Sequence, residues 1–239
     1  MIAQATFELR LLLRNGEQFL LTIAIPLALL LAATYVAAVP LGAAPGSARL
    51  PAALGGILAV AIIASAFTSL AISIGFDRRS GALVMLATTP LSRMSILGAR
   101  LMATLVVVAL QTLLLVGLSL VLGWRPTAAT IALLPVIVLG AACFASLGFA
   151  LGGAIRAEAT LAVANAVFLV LVAVGGTTFP TSDLPAPVAS VVALLPSAGL
   201  GDLLRWCTGG GSADWADVAI VVLWGAIGAA IARRTFAWR

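Results

Sequence analysis

Six stretches of this chain are long, apolar and nearly free of charge: about 18–39, 54–76, 99–122, 130–154, 159–177 and 215–232. Each is close to the ~20 residues that a helix needs to cross a bilayer. The hydrocarbon core offers no water to backbone N–H and C=O groups, so a single apolar run of this length must bond internally as a helix. With 9% of its 239 residues charged, against about 25% in a soluble domain, the chain cannot cover a water-facing surface. The expected fold is all-α: a polytopic membrane bundle of six transmembrane helices in one domain spanning 1–239, with an N-terminal amphipathic helix and an outer helical segment.

The amphipathic helix falls in 1–17. At helical spacing Ile2, Ala5, Leu9 and Leu12 share one face, and Arg10, Arg14 and Glu17 share another, a pattern suited to lying in the membrane interface. Glu8 and Glu17 make this lead unlike a cleaved signal peptide. Orientation is read from arginine. With the N-terminus inside, ten arginines (10, 14, 78, 79, 93, 100, 156, 233, 234 and 239) lie on the inner side and three (49, 125 and 205) on the outer. That bias puts both termini in the cytoplasm of a multi-pass protein of the cytoplasmic membrane. The arginines then serve as topology signals, and nucleic-acid binding is not expected.

Composition also removes chemistries. There is no histidine, so His-based triads and zinc or haem ligation by His are excluded. All thirteen basic residues are arginine, so there is no P-loop lysine and the chain is not expected to hydrolyse ATP. No acid falls at the centre of a span, which leaves no proton relay of the kind secondary transporters use. Cys143 in an apolar run and Cys207 in a polar loop are not expected to pair.

Two segments outside the spans carry pattern. The first, 77–98, follows Phe76, opens Asp77-Arg78-Arg79-Ser80-Gly81 and continues through apolar Leu83 to Leu86 to Pro90 and Arg93. Pro90 ends any helix in this piece, and Ser92 is placed to cap the next. The piece reads either as a short helix docking into a groove on a soluble partner or as a solvated loop. The second, Thr177 to Asp214, contains the apolar stretch Leu184 to Leu204, broken by Pro185, Pro187, Pro196 and Gly199. It reads as a re-entrant helical hairpin packed on protein, or as a helix lying flat at the interface. Within the spans, Ser65, Ser69 and Ser73 form a stripe with Thr68, Gln111 and Thr112 lie in the third span, and Asn165 in the fifth. The stripe suits close helix packing or a weakly polar wall beside Phe168 and Tyr35. Gly148 with Gly152 reads as packing.

The order of these features, with the inner loop Phe-Asp-Arg-Arg-x-Gly-x-Leu-x-x-Leu-x-x-Thr-Pro-Leu-x-Arg and the outer Gly-Gly-Thr-Thr-Phe-Pro-x-x-x-Leu-Pro, resembles the ABC-2 type permease family, the membrane subunits of ABC exporters of drugs, lipids and polysaccharides. The resemblance implies that Asp77, Arg78, Arg79, Gly81, Leu83, Leu86, Pro90 and Arg93 form a coupling helix seated on a separate ATPase subunit. Asp77 stands where that family often has glutamate. Glu8, Arg10 and Arg14 would meet the same partner from a connecting helix. It implies a second permease chain, identical or paralogous, with the second and fifth spans lining the path and Ser65, Ser69, Asn165 and Phe168 as path residues. No cofactor is expected on this chain; ATP and Mg would be bound by the partner, and membrane lipid surrounds the bundle. The expected function is that of a permease subunit exporting amphipathic drugs or lipids. A haem-exporter-type permease and a non-transporting scaffold or immunity subunit are the alternatives, and a six-span intramembrane enzyme lacks a catalytic set.

Overall fold

A computed structural model of the chain describes residues 16–36, 49–82, 85, 93–177 and 185–235. Regular structure among these residues is helical: α1 (Gly16–Tyr35), α2 (Leu50–Arg79), α3 (Arg93–Val121), α4 (Leu133–Ala154, entered through a tight turn at Ala128–Ala132), α5 (Ala157–Ala173), α6 (Ala186–Val192), α7 (Pro196–Thr208) and α8 (Trp215–Thr235).

Four helical stretches among the described residues are long and apolar enough to cross a membrane: α2, Met94–Val121 in α3, Ala128–Ala154 through α4, and α8. The stretches expected as the first and fifth spans hold the apolar helices α1, whose side chains are described over Thr22–Tyr35, and α5 at Ala157–Ala173; neither is among those four. The outer stretch is two helices, α6 and α7, bent by 96° at a break ending in Pro196. Proline at the first turn of α7 lacks only an N–H that would be unsatisfied there anyway, so the break starts a helix cleanly. The elbow is pinned from α8, where Trp224 Nε1 donates to the Leu194 carbonyl at 2.9 Å.

The helix α2 is central. Of its most apolar window 67% is buried, against 17% in α8, and it packs on α4, α5, α7, α1 and α3. Its 30 residues extend about 45 Å at ~1.5 Å per residue, longer than a hydrocarbon core of about 30 Å. The chain remains helical to Arg79, so Asp77, Arg78 and Arg79 form the last turn of a rod and not the start of a loop. Likewise α3 already begins at Arg93, six residues before the expected span. Seven residues of α2, Ile63–Ser69, are wound as π-helix, a local widening found frequently at functional sites.

Close approach of α4 to α2 depends on glycine. A Cβ on Gly148 would lie 2.9 Å from the Phe67 carbonyl oxygen, and one on Gly152 would lie 2.6 Å from that of Ala71. Small residues at such crossings let helix backbones touch where no hydrophobic drive separates helix from lipid. The expectation of packing for this pair holds. Gly152→Val should therefore lower stability by about 1–3 kcal/mol, whereas Gly117→Ala, with nothing within 4 Å of its added carbon, should not. Maleimide labelling of the buried thiols of Cys143 and Cys207 during heating in detergent reads both.

Candidate functional site

The last turn of α2 is built from three consecutive charged residues. Successive side chains on an α-helix leave its axis roughly 100° apart, so three neighbours address three directions. Here each direction holds another helix. Asp77 pairs through Oδ2 with Arg100 Nη2 of α3, and Arg100 is 5% exposed. The same guanidinium donates from Nη1 to Ser73 Oγ at 3.3 Å, one turn up α2. Arg78 Nη1 donates to the carbonyl oxygens of Gly152 (3.1 Å), Gly153 (2.7 Å) and Ile155 (3.2 Å) at the C-terminal end of α4. Arg79 Nη1 meets Glu158 Oε1 at 2.5 Å in the first turn of α5, with both side chains about 60% exposed. The backbone then leaves the helix at Gly81, whose φ of 75° is the left-handed value that glycine adopts without strain after a helix end.

Arg78 lies where a helix most needs a cation. The final carbonyls of α4 have no intrahelical donor, the helix dipole is negative there, and a guanidinium carries several donors in a rigid fork. The Arg79–Glu158 pair is exposed and worth much less. At the root of the loop, α2 also meets α5 closely: a Cβ on Gly75 would lie 3.3 Å from Ala157 Cα.

The other end of the bundle repeats the device with more burial. Arg205 of α7 is 1% exposed. Its Nη1 donates to the Thr177 carbonyl at 3.0 Å, and its Nη2 donates to that of Gly176 at 2.6 Å and pairs with Asp202 Oδ1 at 2.6 Å. Thus α7 grips the segment that follows α5. Thr208 Oγ1 donates to the Pro51 carbonyl at 2.7 Å, tying the end of α7 to the start of α2. The last carbonyls of α7 are themselves met from outside: Thr130 Oγ1 donates to Cys207 O at 2.9 Å and Trp124 Nε1 to Thr208 O at 2.8 Å.

The four expected path residues lie in different environments. Ser65 is buried in the π-helical segment and donates to Gln111 Oε1 at 3.2 Å, while Gln111 Nε2 donates to the Thr22 carbonyl at 2.9 Å, joining α2, α3 and α1. Ser69 and Phe168 are half-buried, and Asn165 is exposed on α5 with its Nδ2 turned back to the Leu161 carbonyl at 2.9 Å. Glu8, Arg10, Arg14, Leu83, Leu86, Pro90 and the side chain of Arg93 lie outside the described residues, as does Ser92. Among the described residues no group of histidine, cysteine, aspartate or glutamate could hold a metal ion.

Residues 45–233 match the family model for ABC-2 family transporter proteins. The chain belongs to that family. It is a membrane permease component of an ABC transporter, and ABC-2 permeases associate with an ABC ATPase subunit. No curated protein matches it in sequence.

Arg100, Glu158 and Gln111 carry the geometry of this permease without having been singled out as site residues by sequence. Arg205 with Asp202 was legible only as an i,i+3 pair of opposite charge. Arg205→Gln leaves the largely covered Asp202 carboxylate and two buried carbonyls short of a cation, and should cost about 3 kcal/mol. Arg79→Gln should cost about 0–1 kcal/mol. Melting of the two purified variants beside wild type checks the contrast.

Proposed function

We propose that this permease is the membrane subunit of an ATP-driven exporter of amphipathic drugs or lipids in the cytoplasmic membrane, paired with a second permease chain and working by alternating access. The observation that carries the reading is the charged inner end of α2, from which the segment 82–93 continues. That end belongs to a rod that contacts five other helices, and it is fastened to α3, α4 and α5. A loop so mounted can pass a displacement into the bundle. ATP drives transport only by stabilising one permease conformation over another, and an ATPase subunit seated on this loop, with Leu83, Leu86 and Pro90 as its apolar contact and Arg93 beside them, would bind the two conformations differently. Glu8, Arg10 and Arg14 would extend the same contact, and ATP and Mg belong to the partner.

Burial supports the proposed orientation, with both termini inside. Of the three arginines counted outside, Arg49 and Arg205 are buried and Arg125 alone is exposed. The bent pair α6–α7 is proposed to dip into the outer leaflet and close the path from outside. Asn165, Ser69 and Phe168 are the proposed path residues where α2 and α5 face the second chain. Ser65 belongs to the internal tie with Gln111, and its place on the path is correspondingly weaker. The described parts of the spans carry weakly polar groups of this kind, which suits an amphipathic cargo better than a heavily hydroxylated one.

Co-purification in detergent with the ATPase subunit is the test. Wild type should yield a stable complex, and Leu83→Asp with Leu86→Asp should abolish it while the chain stays in the membrane with unchanged melting. An undiminished complex in that variant overturns the seat assigned to this loop. ATP-dependent movement of amphipathic dyes or labelled lipids in proteoliposomes then tests the cargo, and a complex that hydrolyses ATP but moves neither overturns the exporter reading.

A further inference from the structure

The charges at the root of the coupling loop have a role different from partner contact. We infer that Asp77, Arg78 and Arg100 are positioning residues that lock the inner ends of α3 and α4 to the last turn of α2, so that the loop moves these helices together. The inference rests on the permease reading above.

Three observations carry it. First, the groups point into the bundle: Arg100 is buried, Asp77 is engaged by it, and Arg78 is committed to three carbonyls of one helix end. These bonds all leave from Nη1, and Nε is buried, so two of the three guanidinium nitrogens are turned away from a second protein. Second, the contacts reach different elements from adjacent positions, Asp77 and Ser73 to α3 and Arg78 to α4, with Arg79 reaching α5 more loosely. Third, the helix–helix joint they stabilise is short: α4 ends at Ala154 and α5 starts at Ala157, with Ile155 and Arg156 extended between them. A two-residue joint with the Ile155 carbonyl fixed to α2 and the Arg156 carbonyl taken by Thr160 of α5 leaves little room for α4 to lag behind.

The mechanical consequence follows from the fastening at both ends of α2. Its outer end is held by Thr208 and the α7 strap, and its inner end by the charged turn. Motion imposed at the loop must then either carry α3 and α4 along or be absorbed within α2, where the π-helical segment at Ile63–Ser69 is the irregular part. With the inner fastening intact, the first outcome is favoured; without it, α2 moves alone.

The experiment uses the full chain in nanodiscs with its ATPase subunit, Cys143 and Cys207 replaced, and spin labels at Met94→Cys on α3 and Ile231→Cys on α8, both exposed positions. The distance distribution is compared without nucleotide and with ATP and vanadate. In the otherwise unaltered chain ATP should shift the distance. In Asp77→Asn the complex with the ATPase should persist and the shift should be lost; Asp77→Arg combined with Arg100→Asp should restore it, which a loss of folding stability alone would not produce. If Asp77→Asn melts prematurely, Arg100→Lys, which keeps the charge and loses the fork, provides the same comparison. A full shift in these single variants overturns the inference while leaving the permease reading intact. Failure of the unaltered chain to bind the ATPase overturns both.

Discussion

A helix that ends near or within lipid leaves four carbonyl groups without intrahelical donors, and there is little water to take them. The structure depends on how those carbonyls are met, and in this lysine-free chain arginine meets many of them. Arg49 Nη1 donates to the Val36 carbonyl at 3.1 Å just beyond α1, Arg78 takes three carbonyls at the end of α4, and Arg205 takes two in the segment after α5. Where arginine does not reach, Thr130 and Trp124 serve the end of α7. Each of these donors comes from a different element than the carbonyl it meets, so satisfying the backbone and fixing the tertiary arrangement are one event. The desolvation cost of burying Arg205 is offset because its partners are fixed carbonyls and a neighbouring carboxylate.

The same logic explains the long, mostly buried α2. It receives α7 at its outer end, α4 along glycines 148 and 152, and α3 and α5 at its inner end. Its π-helical stretch falls where it presents Ser65 to Gln111 and where the Gly148 backbone comes close to Ala66 and Phe67. The polar groups of the stripe thus divide by position. Ser65 and Ser73 are spent on α3, Ser69 is half-buried, and Thr68 Oγ1 is buried with no hydrogen-bond partner. A stripe that looks uniform in sequence is a set of different environments, because widening the helix turns its residues out of the regular i, i+4 phase.

This marks what was legible in the sequence. Helical character, the approximate places of the long apolar elements and the family follow from hydropathy and from the 76–93 motif, since a lipid solvent leaves so few foldable alternatives. The packing of Gly148 against Gly152's neighbour helix was legible too, because small residues four apart have one dominant use in apolar helices. The ends of helices were not. Asp77 to Arg79 look like loop because they are charged, yet they remain helical, since each finds a partner on a different neighbouring helix. Such partners lie 23 to 79 positions away in the chain, at Arg100, Gly152 to Ile155 and Glu158, and no local pattern announces them. α5 stops at Ala173, short of the end of its apolar run: the chain turns through Gly176, whose φ of 77° is left-handed, and the Gly176 and Thr177 carbonyls face Arg205.

Counting arginines by side therefore mixes two kinds of charge. A guanidinium committed to a helix end carries its charge into a site where backbone dipoles neutralise much of it, and presents little to a membrane potential or to anionic headgroups. Exposed residues such as Arg79, Arg156, Arg233 and Arg234 do present theirs. On the side proposed to face outward, two of the three arginines are of the committed kind, while on the side proposed to face inward four of the described ones are exposed, so among described residues the exposed charge stands at four against one. The positive-inside tendency concerns charge that must be moved or retained across lipid during insertion; an arginine that folds into a carbonyl nest can be tolerated on the disfavoured side because its final position is protein and not headgroup. Arg49 and Arg205 are in that sense part of the fold's backbone chemistry, and their presence outside is no argument against cytoplasmic termini.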